Sequence, residues 1–373
     1  MAAAVGSLLV LATGCGDFFT KSLSGGGTST TGSYTYVGTQ AGLLVSYAVS
    51  SAGGLTTLSG SPYQLSTAAI NSLAVTPDNA FLYAAVAGAG VYGLGLNSGT
   101  GVPTLVSTSA LVSDVTPIAL AVSASGGYLL AAGLANGAPA VGEYTINADG
   151  TLTAVTGSPV TITLPSGASA SNVTVNGIAI APSSSYVFVS LGQLGVAALP
   201  FSTSGALATN TVVINPQTTS GVSNQDMGLA VNAGSTALFV GETNAGVRVF
   251  TIGSNTFSEI SGSPFAAGSQ PRALQLAGAG DYLYVANAAS NTISGYSVLS
   301  SGALTALTSS PYSSVGTAPY ALAVDQSGKY LIAANQGTSP NVQVYSFAGS
   351  GGVLSAGATA TNATAAAAVA STH

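Results

Sequence analysis

Pro271-Arg272-Ala273-Leu274-Gln275-Leu276, Asp281-Tyr282-Leu283-Tyr284-Val285-Ala286-Asn287, Ile293-Ser294-Gly295-Tyr296-Ser297-Val298 and Gly302-Ala303-Leu304-Thr305-Ala306-Leu307 follow one another along the chain. Gly, Ser and Asn fall between them, and Ser310-Pro311-Tyr312 comes shortly after. Short apolar or alternating runs with turn residues between them are the pattern of successive antiparallel strands. Four such strands make one sheet, and the question is how often the unit returns.

The first run recurs as Leu73-Ala74-Val75, Leu120-Ala121-Val122, Ile178-Ala179-Ile180, Leu229-Ala230-Val231, Leu274-Gln275-Leu276 and Leu322-Ala323-Val324, at offsets of 47, 58, 51, 45 and 48 residues by subtraction. The second recurs from Tyr36-Val37 to Tyr330-Leu331-Ile332, and the third from Leu44/Tyr47 to Val342/Tyr345. Second and third strands therefore appear seven times, the first only six. Four strands at this spacing is the period of a β-propeller. The chain enters its first blade at the second strand, so a closed ring needs an inner strand from elsewhere. Ala366 to Ala370 has the length and small apolar character to supply it beside Tyr34–Thr39. The expected fold is all-β: a seven-bladed propeller of four-stranded antiparallel blades, closed by the C-terminal strand, which leaves no long sheet edge exposed.

At 373 residues, length alone suggests two or three domains, but one ring over residues 34–373 takes up nearly everything. Pro159 to Val175 leaves room for an extended loop where the repeat offset is longest. Charged residues make up 4% of the chain, with 4 Lys+Arg against 10 Asp+Glu. That leaves no basic footprint for nucleic acid. Solubility rests on hydroxyls and amides, helped by a net charge of −6.

Ahead of the ring, Ala2 to Ala12 form an apolar run of secretory length, with no Lys or Arg before it. Thr13-Gly14-Cys15 follows, and Cys15 is the only cysteine. The arrangement resembles the lipobox of bacterial lipoproteins, with Ala12 where that pattern usually has Leu. Residues 1–15 are thus read as a signal segment with Cys15 as lipidation site, or else as an ordinary hydrophobic stretch. Residues 16–33, rich in Ser, Gly and Thr, read as a flexible tether. The expected protein is an extracytoplasmic, membrane-anchored monomer touching the membrane through its lipid alone.

In a propeller blade the start of the inner strand and the end of the second emerge on one face, around the mouth of the central channel. Asp226 and Glu242 of blade five, Arg272 and Asn287 of blade six, and Tyr320 and Asn335 of blade seven should lie there, with Asn71 and Asn176 on blades two and four. Three of the chain's scarce charges meet at this mouth. Either they clamp a small polar ligand or partner, with Arg272 receiving a carboxylate or phosphate, or Arg272 pairs with the acids and pins two blades together. Asp226 and Glu242 could form a carboxyl pair, though a nearby Arg272 would favour both staying ionised. His373, the sole histidine, is the last residue, so a Ser-His-Asp relay and His/Cys metal sites are excluded. No metal and no cofactor is expected; an oxygen-only Ca²⁺ site lacks the spaced acidic loop it needs.

Tyr36-Val37-Gly38-Thr39, Tyr284-Val285-Ala286-Asn287 and Ser327-Gly328-Lys329-Tyr330-Leu331-Ile332-Ala333-Ala334 resemble the seven-bladed lactonase-like propellers, the bacterial 6-phosphogluconolactonases among them, and the related YVTN-repeat proteins. That resemblance implies Pro-Arg-His at the start of one inner strand and Asn-Glu at the end of the next strand. In blade five Glu242 matches the Glu, while Gly241, Asp226 and Met227 stand at the Asn, Arg and His positions. Pro271-Arg272 occurs one blade later, followed by Ala273. The depleted set favours a lactonase-like propeller that binds a ligand or partner without efficient catalysis. The alternative is a sugar-lactone hydrolase using Glu242 and Arg272.

Overall fold

The computed structural model describes residues 12–14, 17–19, 32–209, 211–219 and 222–373. Cys15 and nearly all of the expected signal segment and tether lie outside the described residues. From them come only a short antiparallel pairing of Ala12–Gly14 with Asp17–Phe19 and the residues leading into the ring.

Seven antiparallel sheets follow in order, each a path of four strands from the channel outward, and three of them carry a further two-residue strand on the third. The inner strands of blades two to seven are Ile70–Val75, Thr116–Val122, Gly177–Ile180, Asp226–Val231, Pro271–Ala277 and Pro319–Val324. Blade one takes its inner strand from the C-terminus, as expected: Ala366–Ser371 pairs with Ser33–Thr39 from Thr39↔Ala366 to Thr35↔Ser371. The second strands, among them Phe81–Val86, Tyr186–Ser190 and Ala237–Glu242, are buried along nearly their whole length. A strand covered on both faces needs apolar residues at every position rather than alternate ones. That is why runs such as Phe-Leu-Tyr-Ala-Ala-Val read as continuous.

What covers those faces is the neighbouring blade. The core consists of seven wedges, each filled by two adjacent sheets. Leu238, Val240 and Phe250 of blade five meet Phe188 and Ala198 of blade four in one wedge. In another, Tyr83 and Val91 of blade two meet Leu120 and Leu129 of blade three. Burial of apolar area at about 25 cal/mol per Å² drives both sheet formation and blade packing.

Tyrosines fasten the wedges. From the second strand of one blade, a phenol reaches the outer turn of the next and donates to a backbone carbonyl. Tyr36 donates to Gly101 at 2.6 Å, Tyr83 to Gly150 at 3.0 Å and Tyr330 to Ser51 at 2.8 Å, while Tyr284 does the same to Gly352. The receiving turn holds glycine for two reasons. Gly101 has φ +66°, and a Cβ there would sit 2.3 Å from the Tyr34 ring. Serines tie the outer crossovers inward. The Oγ atoms of Ser61, Ser158, Ser263 and Ser310, each before a cis proline, accept from the backbone N–H of Ser46, Glu143, Val249 and Gly295 at 2.8–3.1 Å. The longest repeat carries the extended loop expected of it, with a single 3₁₀ turn at Ala170–Asn172.

Candidate functional site

Register pairs at one end of the ring place the expected rim residues together by blade. Asp226 faces Glu242, Pro271 faces Asn287 and Pro319 faces Asn335. Beside them the inner strands slip by an extra residue, and a β-bulge re-aims the side chain it inserts. The inserted residues are Asn71, Ile118, Arg272, Tyr320 and Ala367, and in blade five Met227 with Gly228. No sequence pattern announced these bulges, yet they bring Arg272 and Tyr320 together. The Arg272 guanidinium lies 4.3 Å from the Tyr320 ring centroid and donates through Nη2 to the phenol oxygen. Both side chains are half-buried.

Glu242 is fully buried, and both its oxygens are occupied. Oε1 accepts from the Gln217 backbone N–H at 2.7 Å, and Oε2 from Arg248 Nη1 at 3.1 Å. Arg248 is committed in turn. Nε and Nη2 grip Glu259 in two-pronged fashion at 3.1 and 2.8 Å, and Nη1 also donates to the Asn215 carbonyl at 2.9 Å. The ion pair to Glu242 that Arg272 was a candidate to make is made by Arg248, from within the same blade. Among the described residues the recorded ion pairs are Arg248 with Glu242 and with Glu259. Arg248 comes from the middle of the third strand, Gly246–Ile252, and escaped an expectation confined to strand ends. Its one sequence signal is a charge inside the apolar run Val247-Arg248-Val249-Phe250.

Asp226 is 1% exposed, and its Oδ1 has no hydrogen-bond partner among the described residues. Burial first, and the neighbouring Glu242 charge second, push its carboxyl up to about 8 against the opposing pull of Arg248. The cation expected to keep the acids charged faces Tyr320 instead, and Asp226 is pushed toward its protonated form. Asp226 is thus favoured in that form toward neutral pH. The strand start is pinned to blade four, since Asn176 Nδ2 donates to the Asp226 carbonyl at 2.9 Å and the Asp226 N–H to Gly192 at 3.1 Å. Gly228 and Gly241 let blade six close in: Cβ atoms there would lie 2.7 Å from the Arg272 carbonyl and 2.6 Å from the Pro271 carbonyl.

Asn287 and Asn335, expected at an open mouth, are fully buried beneath the rim. Asn335 accepts from Ser314 at 3.1 Å and donates to the Pro340 carbonyl at 2.9 Å, a corner-holding role. Asn287 donates to Ser294 and Thr292 at 2.9 and 3.2 Å, while its Oδ1 lacks a partner among the described residues. Asn71 donates to the Pro117 carbonyl at 3.4 Å. His373 lies at the other end of the ring, its backbone bonded to Asn79 in the turn before Phe81. No cluster of three or more His, Cys, Asp or Glu able to hold a metal occurs among the described residues.

Seven four-stranded blades, a C-terminal closing strand and a polar rim over blades five to seven define a seven-bladed β-propeller. The chain belongs to the lactonase seven-bladed β-propeller family, whose model matches residues 29–370. Among solved structures, it is similar to a provisionally assigned 6-phosphogluconolactonase from Bacteroides uniformis at 19% identity and TM-score 0.69, covering 91% of this chain and 99% of that one. A second provisionally assigned 6-phosphogluconolactonase, from Bacteroides fragilis, matches at 17% and 0.70 over 94% and 100%. The periplasmic gluconolactonase of Pseudomonas aeruginosa matches at 18% and 0.68 over 92% and 99%. At such identities the likeness is one of fold. No curated protein matches the sequence.

Proposed function

We propose that the protein is a carboxylic ester hydrolase of the lactonase type, acting on a sugar lactone held at the rim of blades five to seven. One observation carries this reading: in a lactonase-family propeller, two buried carboxyls in register, Asp226 and Glu242, lie on the blade beside the half-buried Arg272. The names of the structural neighbours support the substrate class. In the proposed reaction a water attacks the lactone carbonyl carbon as its proton passes to ionised Asp226. The oxyanion forms against Arg272, the ring C–O bond breaks, and the proton moves to the leaving alkoxide, giving the open hydroxy acid. A positioned base of this kind contributes about 10²–10⁴ in rate, and a fixed cation at the oxyanion adds to it. Hydrolysis of glucono-δ-lactone and of its 6-phosphate by the purified protein tests the reading. Asp226→Asn should lower kcat, and Arg272→Ala should lower kcat and kcat/KM on both substrates. Equal rates for Asp226→Asn and wild type would refute it.

A second reading, ligand binding without efficient turnover, draws on the occupied oxygens of Glu242. It expects calorimetric binding of a lactone or hydroxy acid, weakened by Arg272→Ala, with no hydrolysis above the spontaneous rate.

We further propose an extracytoplasmic, lipid-anchored location. The apolar run ahead of Thr13-Gly14-Cys15 and the Ser/Gly/Thr stretch after it support this, as does the periplasmic setting named for one neighbour. Several acyl chains on one cysteine would hold firmly where one is marginal. Incorporation of a labelled fatty acid should vanish in Cys15→Ala; label persisting in that variant would exclude anchoring there.

A further inference from the structure

Two acids sharing one proton are chemically useful only if the proton has a defined owner. The two carboxyls of blade five start from similar burial, and they differ in their partners. Glu242 accepts a backbone N–H and a guanidinium N–H, whereas Asp226 Oδ1 accepts nothing among the described residues. Hydrogen bonds donated to a carboxylate favour its charged form, and burial without them favours the neutral one.

We infer that Arg248 is a positioning residue that keeps the proton of this carboxyl pair on Asp226, by occupying Glu242 with a guanidinium N–H. The inference deepens the lactonase reading, since it makes Asp226 the titrating member of the pair, and it rests on that reading only for its consequence in catalysis. Three features make Arg248 suited to the task. It is 6% exposed, so its field is little screened by solvent. Its guanidinium is locked from three sides, by Glu242, by both oxygens of Glu259 and by the Asn215 carbonyl. It also packs 4.7 Å from the Phe250 ring centroid, which fixes the plane of the fork. The charged groups bearing on the pair are thus Arg248 and, through it, Glu259. Blade four contributes the neutral Asn176 at the Asp226 backbone, and blade six approaches with the backbone carbonyls of Pro271 and Arg272.

Infrared difference spectroscopy of the full chain tests the inference without any substrate, so its outcome stands apart from that of the hydrolysis assay. Near neutral pH, a protonated-carboxyl stretch should be present in the wild type and lost in Asp226→Asn. Any band from the buried Glu143 is common to both proteins and cancels. The Asp226 band should titrate away near pH 8. In Arg248→Lys, which keeps a charge but loses the fork, and in Arg248→Met, the titration should move up by about one pH unit or more, with a second band appearing that Glu242→Gln removes. Glu259→Gln leaves Arg248 in place and removes an opposing charge, so the shift should be downward. A band that survives in Asp226→Asn and disappears in Glu242→Gln would overturn the assignment. So would an unchanged titration in both Arg248→Lys and Glu259→Gln, which keeps the test decisive even if Arg248→Met fails to fold.

Discussion

Tyr36, Tyr83, Tyr284 and Tyr330 do in this chain what salt bridges and tryptophans do in others. Tyr36, Tyr83 and Tyr284 bury a ring between two blades, Tyr330 half-buries one, and each spends its hydroxyl on a carbonyl of the next. Tyr36→Phe should cost about 1–3 kcal/mol, because the Gly101 carbonyl would then be left buried and unpaired; a chemical-denaturation midpoint equal to wild type would show the bond to be idle. Asp226 makes the opposite kind of contribution. Its folded pKa of about 8 lies above the unfolded value of about 3.9. Its stabilising term is therefore complete below about pH 4 and is lost as pH rises toward 8. Relative to Asp226→Asn, the wild type should lose stability over that window at up to about 1.4 kcal/mol per pH unit. Two denaturation series that stay parallel from pH 5 to 8 would contradict this. Asp226 and Glu242 were legible as a pair because strand-end positions can be read from the repeat. Arg248 was not, because nothing in a linear pattern says which face of a doubly buried strand a long side chain crosses.

At the level of elements, the closing strand and the bulges divide what a repeat can and cannot reveal. A missing first strand and a spare apolar segment at the far end fixed the pairing of Ala366–Ser371 with Ser33–Thr39. The bulges depend on one extra residue per strand, and Pro271-Arg272-Ala273-Leu274 looks the same in sequence with or without a slip. For that reason Arg272 was expected beside the acids of blade five and is found against Tyr320 of blade seven. Deleting residues 366–373 strips the inner edge of blade one and uncovers Tyr36, Leu44 and Ile70 in the wedge beside it. Such a truncation should be insoluble or self-associated, because the bared strand presents unpaired backbone groups. A monomeric truncation melting at the wild-type temperature would contradict a closed ring.

The whole molecule holds together with 4% charged residues by replacing electrostatics with repetition: seven apolar wedges, phenol-to-carbonyl bonds and serine ties on the crossovers. Such a structure should be insensitive to salt and sensitive to alkali. Burial raises the ionisation of Tyr36, Tyr83, Tyr144 and Tyr284 above the usual phenol range. Their stabilising share is present below about pH 10, the unfolded value, and is lost above it. The same scarcity of charge gives the rim its meaning, since the buried pair of blade five and Arg272 of blade six stand on one face of an otherwise nearly uncharged ring. The most direct measurement is the rate of sugar-lactone hydrolysis by the full chain as a function of pH. It should rise through about pH 8 as Asp226 ionises and fall about 100-fold or more in Asp226→Asn. A rate no faster than spontaneous ring opening, or one unchanged in Asp226→Asn across the same range, would contradict a lactonase at this rim.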